Sequence, residues 1–106
     1  MLADKNCTPC QGHVSPLPLK SASDLLAQTP GWALAHGGKA IFRKYTFADF
    51  DAAYAFAGKV AALAQAQAHH PDIAFGWGYV KLKLWTHAIG GLQENDFILA
   101  AKINAL

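Results

Sequence analysis

The longest regular pattern in the chain runs from Phe47 to about Ala68, where Phe50, Ala53, Ala57, Val60 and Ala64 recur at the spacing of one helical face. It predicts the main helix, with its stripe facing the core or a second helix. Thr46 and Asp49 are spaced as a capping box, with the shorter acid in place of glutamate. Pro71 predicts the end, because its ring disfavours helical backbone at His70. A second pattern, of period two, occupies Tyr79–His87. Val80, Leu82, Leu84 and Thr86 fall on one face, and Tyr79, Lys81, Lys83, Trp85 and His87 on the other. That alternation predicts a strand in an antiparallel sheet covered on one side, with His87 at its end.

Shorter signals fill in the rest. Ser21–Gln28 predicts a short helix capped by Ser21 or Ser23, with Asp24 in its first turn and Pro30-Gly31 after it. Trp32–Ala35 and Lys39–Tyr45 predict two strands joined through Gly37-Gly38, and Ile73–Trp77 a third short one. Glu94–Ala105 predicts the last helix, with Leu92, Phe97, Ile98 and Ala101 available to the core. Asp96 in its first turn is explained by the helix dipole. The order α-β-β-α-β-β-α predicts an α+β domain, a four-stranded antiparallel sheet with three helices packed on one face. That domain is expected over residues 21–106. Residues 1–20, with three prolines and Gly12, are expected to form a flexible N-terminal arm.

Composition narrows the class. At 106 residues the chain has room for one modest core, and 53% apolar against 15% charged residues is lean for a lone surface. Part of that surface is expected to be covered in an oligomer. A net charge of +2 is too weak to imply a nucleic-acid partner. No apolar run approaches the roughly eighteen residues of a membrane span, and the N-terminus lacks the apolar core of a signal peptide. A cytoplasmic protein is expected. The mixed sheet face bearing Lys81, Lys83 and Trp85 is a candidate for a binding surface or an edge-to-edge contact.

The candidate chemistry centres on His69-His70-Pro71. Two adjacent imidazoles at a helix exit lie near carbonyls that favour the protonated ring, so one can be neutral and the other charged near pH 7. Such a pair can both take and give protons; a polar helix end with two solvated histidines is the alternative. His87 lies where a functional group can emerge into a cleft, and equally where a structural histidine can sit. Cys7-Thr8-Pro9-Cys10 with His13 nearby could be part of a zinc site or a redox pair. No second Cys-x-x-Cys follows, so two reduced thiols on the arm are the plainer reading.

The spacing His69-His70-Pro71, five residues, Trp77, nine residues, His87, eight residues, Asp96 resembles the signature of the pterin-4a-carbinolamine dehydratases. The resemblance extends to Gly31-Trp32, Ala40-Ile41-Phe42-Arg43, Phe47-x-x-Phe50 and Thr86-His87-x-x-x-Gly91-Leu92-x-x-x-Asp96, so it covers roughly residues 20–106. The family dehydrates the 4a-hydroxytetrahydropterin left by aromatic amino acid hydroxylases to quinonoid dihydropterin, as part of tetrahydrobiopterin recycling. The resemblance therefore implies a pterin substrate and a functional link to such a hydroxylase. It implies acid and base catalysis with no metal and no cofactor. The family's functional histidines fall on His69, His70 and His87, with His69 and His87 assigned to proton transfer and His70 mainly to pterin positioning. Pro71 and Thr86, His87, Ala88 and Ile89 match substrate-contacting positions, and Trp32 matches an aromatic that flanks the pterin or joins the core. Homodimers or homotetramers are implied as well. Members also act without catalysis, as a dimerisation cofactor of a homeodomain transcription factor or in assembling other enzymes, which is the alternative function. Three departures stand out, the first being Gln93 where Ser or Thr often caps the last helix. Gln65 replaces a charged residue expected one turn before His69, and Trp85 replaces a small polar one.

Overall fold

A computed structural model describes residues 1–9, 12 and 14–106. Its helices are α1 (Leu19–Leu26), α2 (Phe50–Gln67) and α3 (Glu94–Asn104), and its strands are β1 (Ala33–Ala35), β2 (Ala40–Thr46), β3 (Asp72–Gly76) and β4 (Tyr79–Leu84). The strands form one antiparallel sheet in the order β1-β2-β4-β3. This is the predicted α+β arrangement. Strands β2 and β4 occupy the centre because their alternation is the strongest. Ile41 faces Leu84, and Tyr45 faces Val80, across the ladder.

Ile41, Val80, Leu82 and Leu84 are fully buried beneath the helices, with Val60 of α2 and Phe97, Leu99 and Ile103 of α3. Each such side chain contributes about 1.5–3 kcal/mol relative to leaving it in water. The α2 stripe packs inward at Ala53, Ala57, Val60 and Ala64, but Phe50 does not join it. Phe50 stays 46% exposed and lies instead against Phe75 of β3, ring centres 5.6 Å apart. The stripe therefore lies in the monomer core and is not free for a second α2. The outer face of that helix is small instead, with exposed Ala55, Gly58 and Ala62.

Several boundaries differ from the sequence expectation. Helix α1 starts at Leu19 behind an extended Pro18, without a side-chain cap. Proline lacks an N–H and holds φ near the helical value, so the serines fall inside the helix. At α2 the cap is Asp49 itself, whose carboxylate accepts from the Ala52 N–H at 2.8 Å. Thr46 is still in β2, and the next N–H, of Phe47, is bound to Gly78 O at 2.8 Å. Strand β4 stops at Leu84, short of His87. Thr86 then makes an isolated bridge to Gly91, and His87–Ile89 forms a single 3-10 turn.

Part of the N-terminal segment, expected as an arm, packs on the domain. Leu2 is buried against the core, and a 3-10 turn at Leu2–Asp4 lies along α3. The Cys7 N–H donates to Gln67 Oε1 at 2.8 Å and the Thr8 N–H to Asn95 Oδ1 at 3.0 Å. Cys7 is therefore a half-buried thiol held between the ends of α2 and α3. The other two members of the candidate metal set, Cys10 and His13, lie outside the described residues.

Candidate active site

The site begins with the way α2 ends. Ala68 adopts a left-handed backbone (φ 52°, ψ 36°), and the His69 N–H reaches back to Ala64 O at 3.2 Å, closing the helix as a Schellman turn. That residue takes the chain off the helical path, so the two histidines leave in different directions. His69 turns inward, and its Nε2–H donates to Asp96 Oδ1 at 2.6 Å. His70 stays exposed and folds back over the last turn, donating from Nε2 to Gln65 Oε1 at 2.9 Å. Gln65, expected beside His69, therefore does not meet it. With Ala68 left-handed, the neighbour one helical turn on is displaced, and Gln65 meets His70.

Asp96 holds the centre together. Its side chain has no exposed surface, while that of His69 keeps 11%. The carboxylate accepts from three donors: His69 Nε2, Thr86 Oγ1 at 2.8 Å and the Gln93 N–H at 2.9 Å. A buried carboxylate requires such pairing, because an unpaired one loses its hydration without compensation. The Gln93 contact also caps α3, so helix end, strand end and histidine meet on one group. The Gln93 side chain completes the capping box with Asp96 and also donates from Nε2 to Ser15 O at 3.0 Å.

Helix dipole alone does not account for Asp96. It lies in register with Leu99, Ala100 and Ile103 on the buried stripe of α3, and that periodicity is the signal that could have identified it. An acid on an apolar stripe needs a partner.

The third histidine is presented by the turn after β4. The Thr86 N–H is held by Gly91 O at 2.8 Å, and Gly90, at φ 62°, reverses the chain behind His87. Trp85 lies beside that turn, its ring centre 4.1 Å from the His87 ring. A shallow cleft of about 180 Å³ results, lined by Ala68, His69, His70, Trp85, Thr86, His87 and Ala88.

The structure therefore brings together five of the residues singled out in the sequence: His69, His70, Thr86, His87 and Ala88. Pro71 and Ile89 adjoin them in the chain without lining the cleft. Trp32 is elsewhere. It is buried in the core, and its Nε1–H donates to Asn104 Oδ1 at 2.9 Å, a contact that holds α3 to the end of the α1–β1 loop. Of the two places the sequence allowed for Trp32, it occupies the one in the core. Trp77 sits 72% exposed on the β3–β4 turn, outside the cleft.

The His69–Asp96 pair sets what the cleft can do. Because Nε2 of His69 carries the hydrogen given to Asp96, Nδ1 is the nitrogen left to exchange a proton with a ligand. Among the described residues, no cluster of three His, Cys, Asp or Glu side chains is arranged to hold a metal ion. No helix among them is long and apolar enough to cross a membrane.

Comparison with known proteins converges on one family. The family model described as pterin 4 alpha carbinolamine dehydratase matches residues 15–106. A protein of Halorhodospira halophila, provisionally named a pterin-4-alpha-carbinolamine dehydratase, is 47% identical over 99% of this chain and 96% of its own. One of Aromatoleum aromaticum with the same provisional name is 47% identical over 99% of this chain and 94% of its own. Among solved structures, a transcriptional coactivator/pterin dehydratase from Brucella melitensis aligns with a TM-score of 0.80 at 32% identity, over 86% of this chain and 97% of that one. A pterin dehydratase-like RuBisCO assembly factor of the alpha-carboxysome shares the fold, with a TM-score of 0.60 at 24% identity over 90% and 92% of the two chains. With the family model spanning the whole folded domain and relatives near half identical along the chain, this protein belongs to the pterin 4 alpha carbinolamine dehydratase family.

Proposed function

We propose that the chain dehydrates a 4a-hydroxytetrahydropterin to the quinonoid dihydropterin, by proton transfer between histidines and substrate. The observation that carries this reading is the His69–Asp96 pair at 2.6 Å, set in a cleft with His70 and His87. The reaction removes a proton from N5 and hydroxide from C4a, and the two leave as water. His69 suits the first step. As Nδ1 takes the N5 proton, the positive charge that forms on the ring faces the Asp96 carboxylate, as in other carboxylate–imidazole pairs. His87, exposed at the rim, gives a proton to the departing 4a hydroxyl. His70, tied to Gln65, positions the ring of the pterin. Imidazoles serve both transfers because they gain and lose protons near neutral pH.

In this reading the protein is a cytoplasmic homo-oligomer supplied with substrate by an aromatic amino acid hydroxylase. Neither metal nor cofactor takes part. The alternative is a family member that binds a protein partner and turns over poorly. The assay that separates them follows the decay of 4a-hydroxytetrahydropterin, made in place by a phenylalanine hydroxylase, by absorbance. Faster decay with this protein, lost by about 10²–10⁴-fold in His69→Ala and reduced in His87→Ala, is the expected result. Decay at the spontaneous rate in the presence of the folded protein rejects the enzyme and turns the search to protein partners.

A further inference from the structure

Trp85 is shared by two hollows, and only one of them is the catalytic cleft. Beyond the indole lies a second hollow of about 260 Å³, lined by His36, Lys39, Ala40, Lys83, Trp85 and Gly90. It sits on the open face of the sheet, the face that the helices leave uncovered. Three of its six lining residues carry basic nitrogens, and none carries a carboxylate. Lys83 Nζ lies over the indole, 4.5 Å from the ring centre. The register places Asp72 directly opposite Lys83, yet the lysine turns toward Trp85. Among the described residues, neither Lys39 nor Lys83 has a carboxylate within 4 Å. Asp72 lines the next groove along the sheet, which His36, Lys81 and Lys83 also line.

The backbone gives an independent pointer to the same place. Among the described residues, two that are not glycine have positive φ, Ala68 and His36, both at 52°. Such backbone is unfavourable and concentrates where a side chain must be aimed at a functional position. Ala68 aims the catalytic pair. His36, at the tip of the β1–β2 connection, lines both the basic hollow and the groove beside it.

We propose that this hollow is an anion subsite continuous with the cleft, and that the pterin preferred by this chain ends its C6 substituent in a phosphate or carboxylate. The inference rests on the dehydratase reading of the cleft. C6 is bonded to N5, so the substituent leaves the pterin on its reacting edge. That edge faces His69, which takes the N5 proton, and Trp85 lines the same cleft. A tail of a few carbons crosses the width of one indole and delivers its end to Lys83 and Lys39. Lysine ammonium groups act there as mobile point charges for an anion and stay hydrated when it is absent. Trp85, a departure from the small residue expected at its position, then acts as the wall along which the tail runs.

The test compares 4a-hydroxytetrahydropterins that share one ring and differ at the end of the tail: a neutral hydroxyl, a phosphate or a carboxylate. At low ionic strength kcat/KM for an anionic tail is expected to exceed that for the neutral one by about tenfold, and the ratio is expected to shrink in 1 M salt. Lys39→Gln and Lys83→Gln should each bring the ratio toward one, whatever they do to either substrate alone. Preference for the phosphate alone, or for both anions, identifies which group the subsite takes. A ratio near one with good turnover of the neutral substrate overturns the subsite, as does a preference that both lysine variants leave unmoved.

Binding of the oxidised, unreactive pterins with the same tails, read by quenching of indole fluorescence, separates this inference from the one beneath it. Tighter binding of the anionic pterins without turnover of any substrate keeps the subsite and removes the dehydratase. Equal binding of all three removes the subsite alone.

Discussion

Ala68 carries the strain on which the site depends. A left-handed backbone costs an L-residue other than glycine about 1–2 kcal/mol, and here it directs His69 to Asp96 while His70 turns back to Gln65. Ala68→Gly should relieve that strain, offset by the greater freedom of glycine in the unfolded chain. We expect stability to rise by up to about 1 kcal/mol in urea unfolding; a loss of stability would show that Ala68 is unstrained. Cys7 permits a prediction with pH. Burial first, and the negative charge of Asp96 second, push its thiol from 9.0 up to about 11, against a lowering effect of Lys102. Below pH 9 both the folded and unfolded chains keep the proton, and the stabilisation is complete. Between pH 9 and 11 the unfolded chain releases a proton that the folded one retains, so stability falls. The urea midpoint of the wild type should therefore drop more over that range than that of Cys7→Ser; parallel curves would contradict the assignment. The histidines were legible as residues because adjacent imidazoles before a proline are a local pattern. The Asp96 pairing was not, because it joins residues 27 positions apart through a fold that spacing alone does not provide.

Among the elements, the β3–β4 hairpin sets the register that aligns Leu82 and Leu84 with the core. Its two-residue turn is Trp77-Gly78, where Gly78 has φ 76° and an added Cβ would lie 3.0 Å from Phe47 O. Gly78→Ala should destabilise by about 1–2 kcal/mol through the left-handed backbone alone, measured by urea unfolding; a change under a few tenths would show that the turn readily rearranges. Strand and helix identities were readable from period two and period 3.6, which burial enforces directly. Ends were less readable. Proline at 18 starts a helix without a polar cap, and β4 gives way to the Thr86–Gly91 bridge because the chain must turn there to present His87. Both depend on tertiary partners that a local pattern does not contain.

At the scale of the molecule, an exposed apolar patch joins β3 to α2. Phe75 of the edge strand β3 lies between Phe50 and Tyr54 of α2, with ring centres 5.6 and 5.9 Å away, and these three are 38–62% exposed. Exposed aromatics beside an unpaired strand edge favour covering by another copy. Light scattering at micromolar concentration should give a mass at least twice the 11.3 kDa of one chain, reduced toward one chain in Phe75→Glu/Tyr54→Lys. A wild-type monomer would contradict the expectation. The low charge content pointed to covered surface, but it did not locate it. The inward-facing alanine stripe proved to be core, and the patch is formed by residues brought together from a helix and a strand.

The decisive comparison is the turnover of 4a-hydroxytetrahydropterin by the wild type and by Asp96→Asn, side by side, with the fold of each checked by circular dichroism. The substituted amide keeps the shape of the aspartate side chain but loses the charge facing His69. Rapid dehydration by the wild type is expected, with a kcat about 10²–10⁴-fold lower in the folded variant. A folded variant that turns over as fast as the wild type would contradict the His69–Asp96 pair as the catalytic centre, and a folded wild type with no turnover would contradict the enzyme itself.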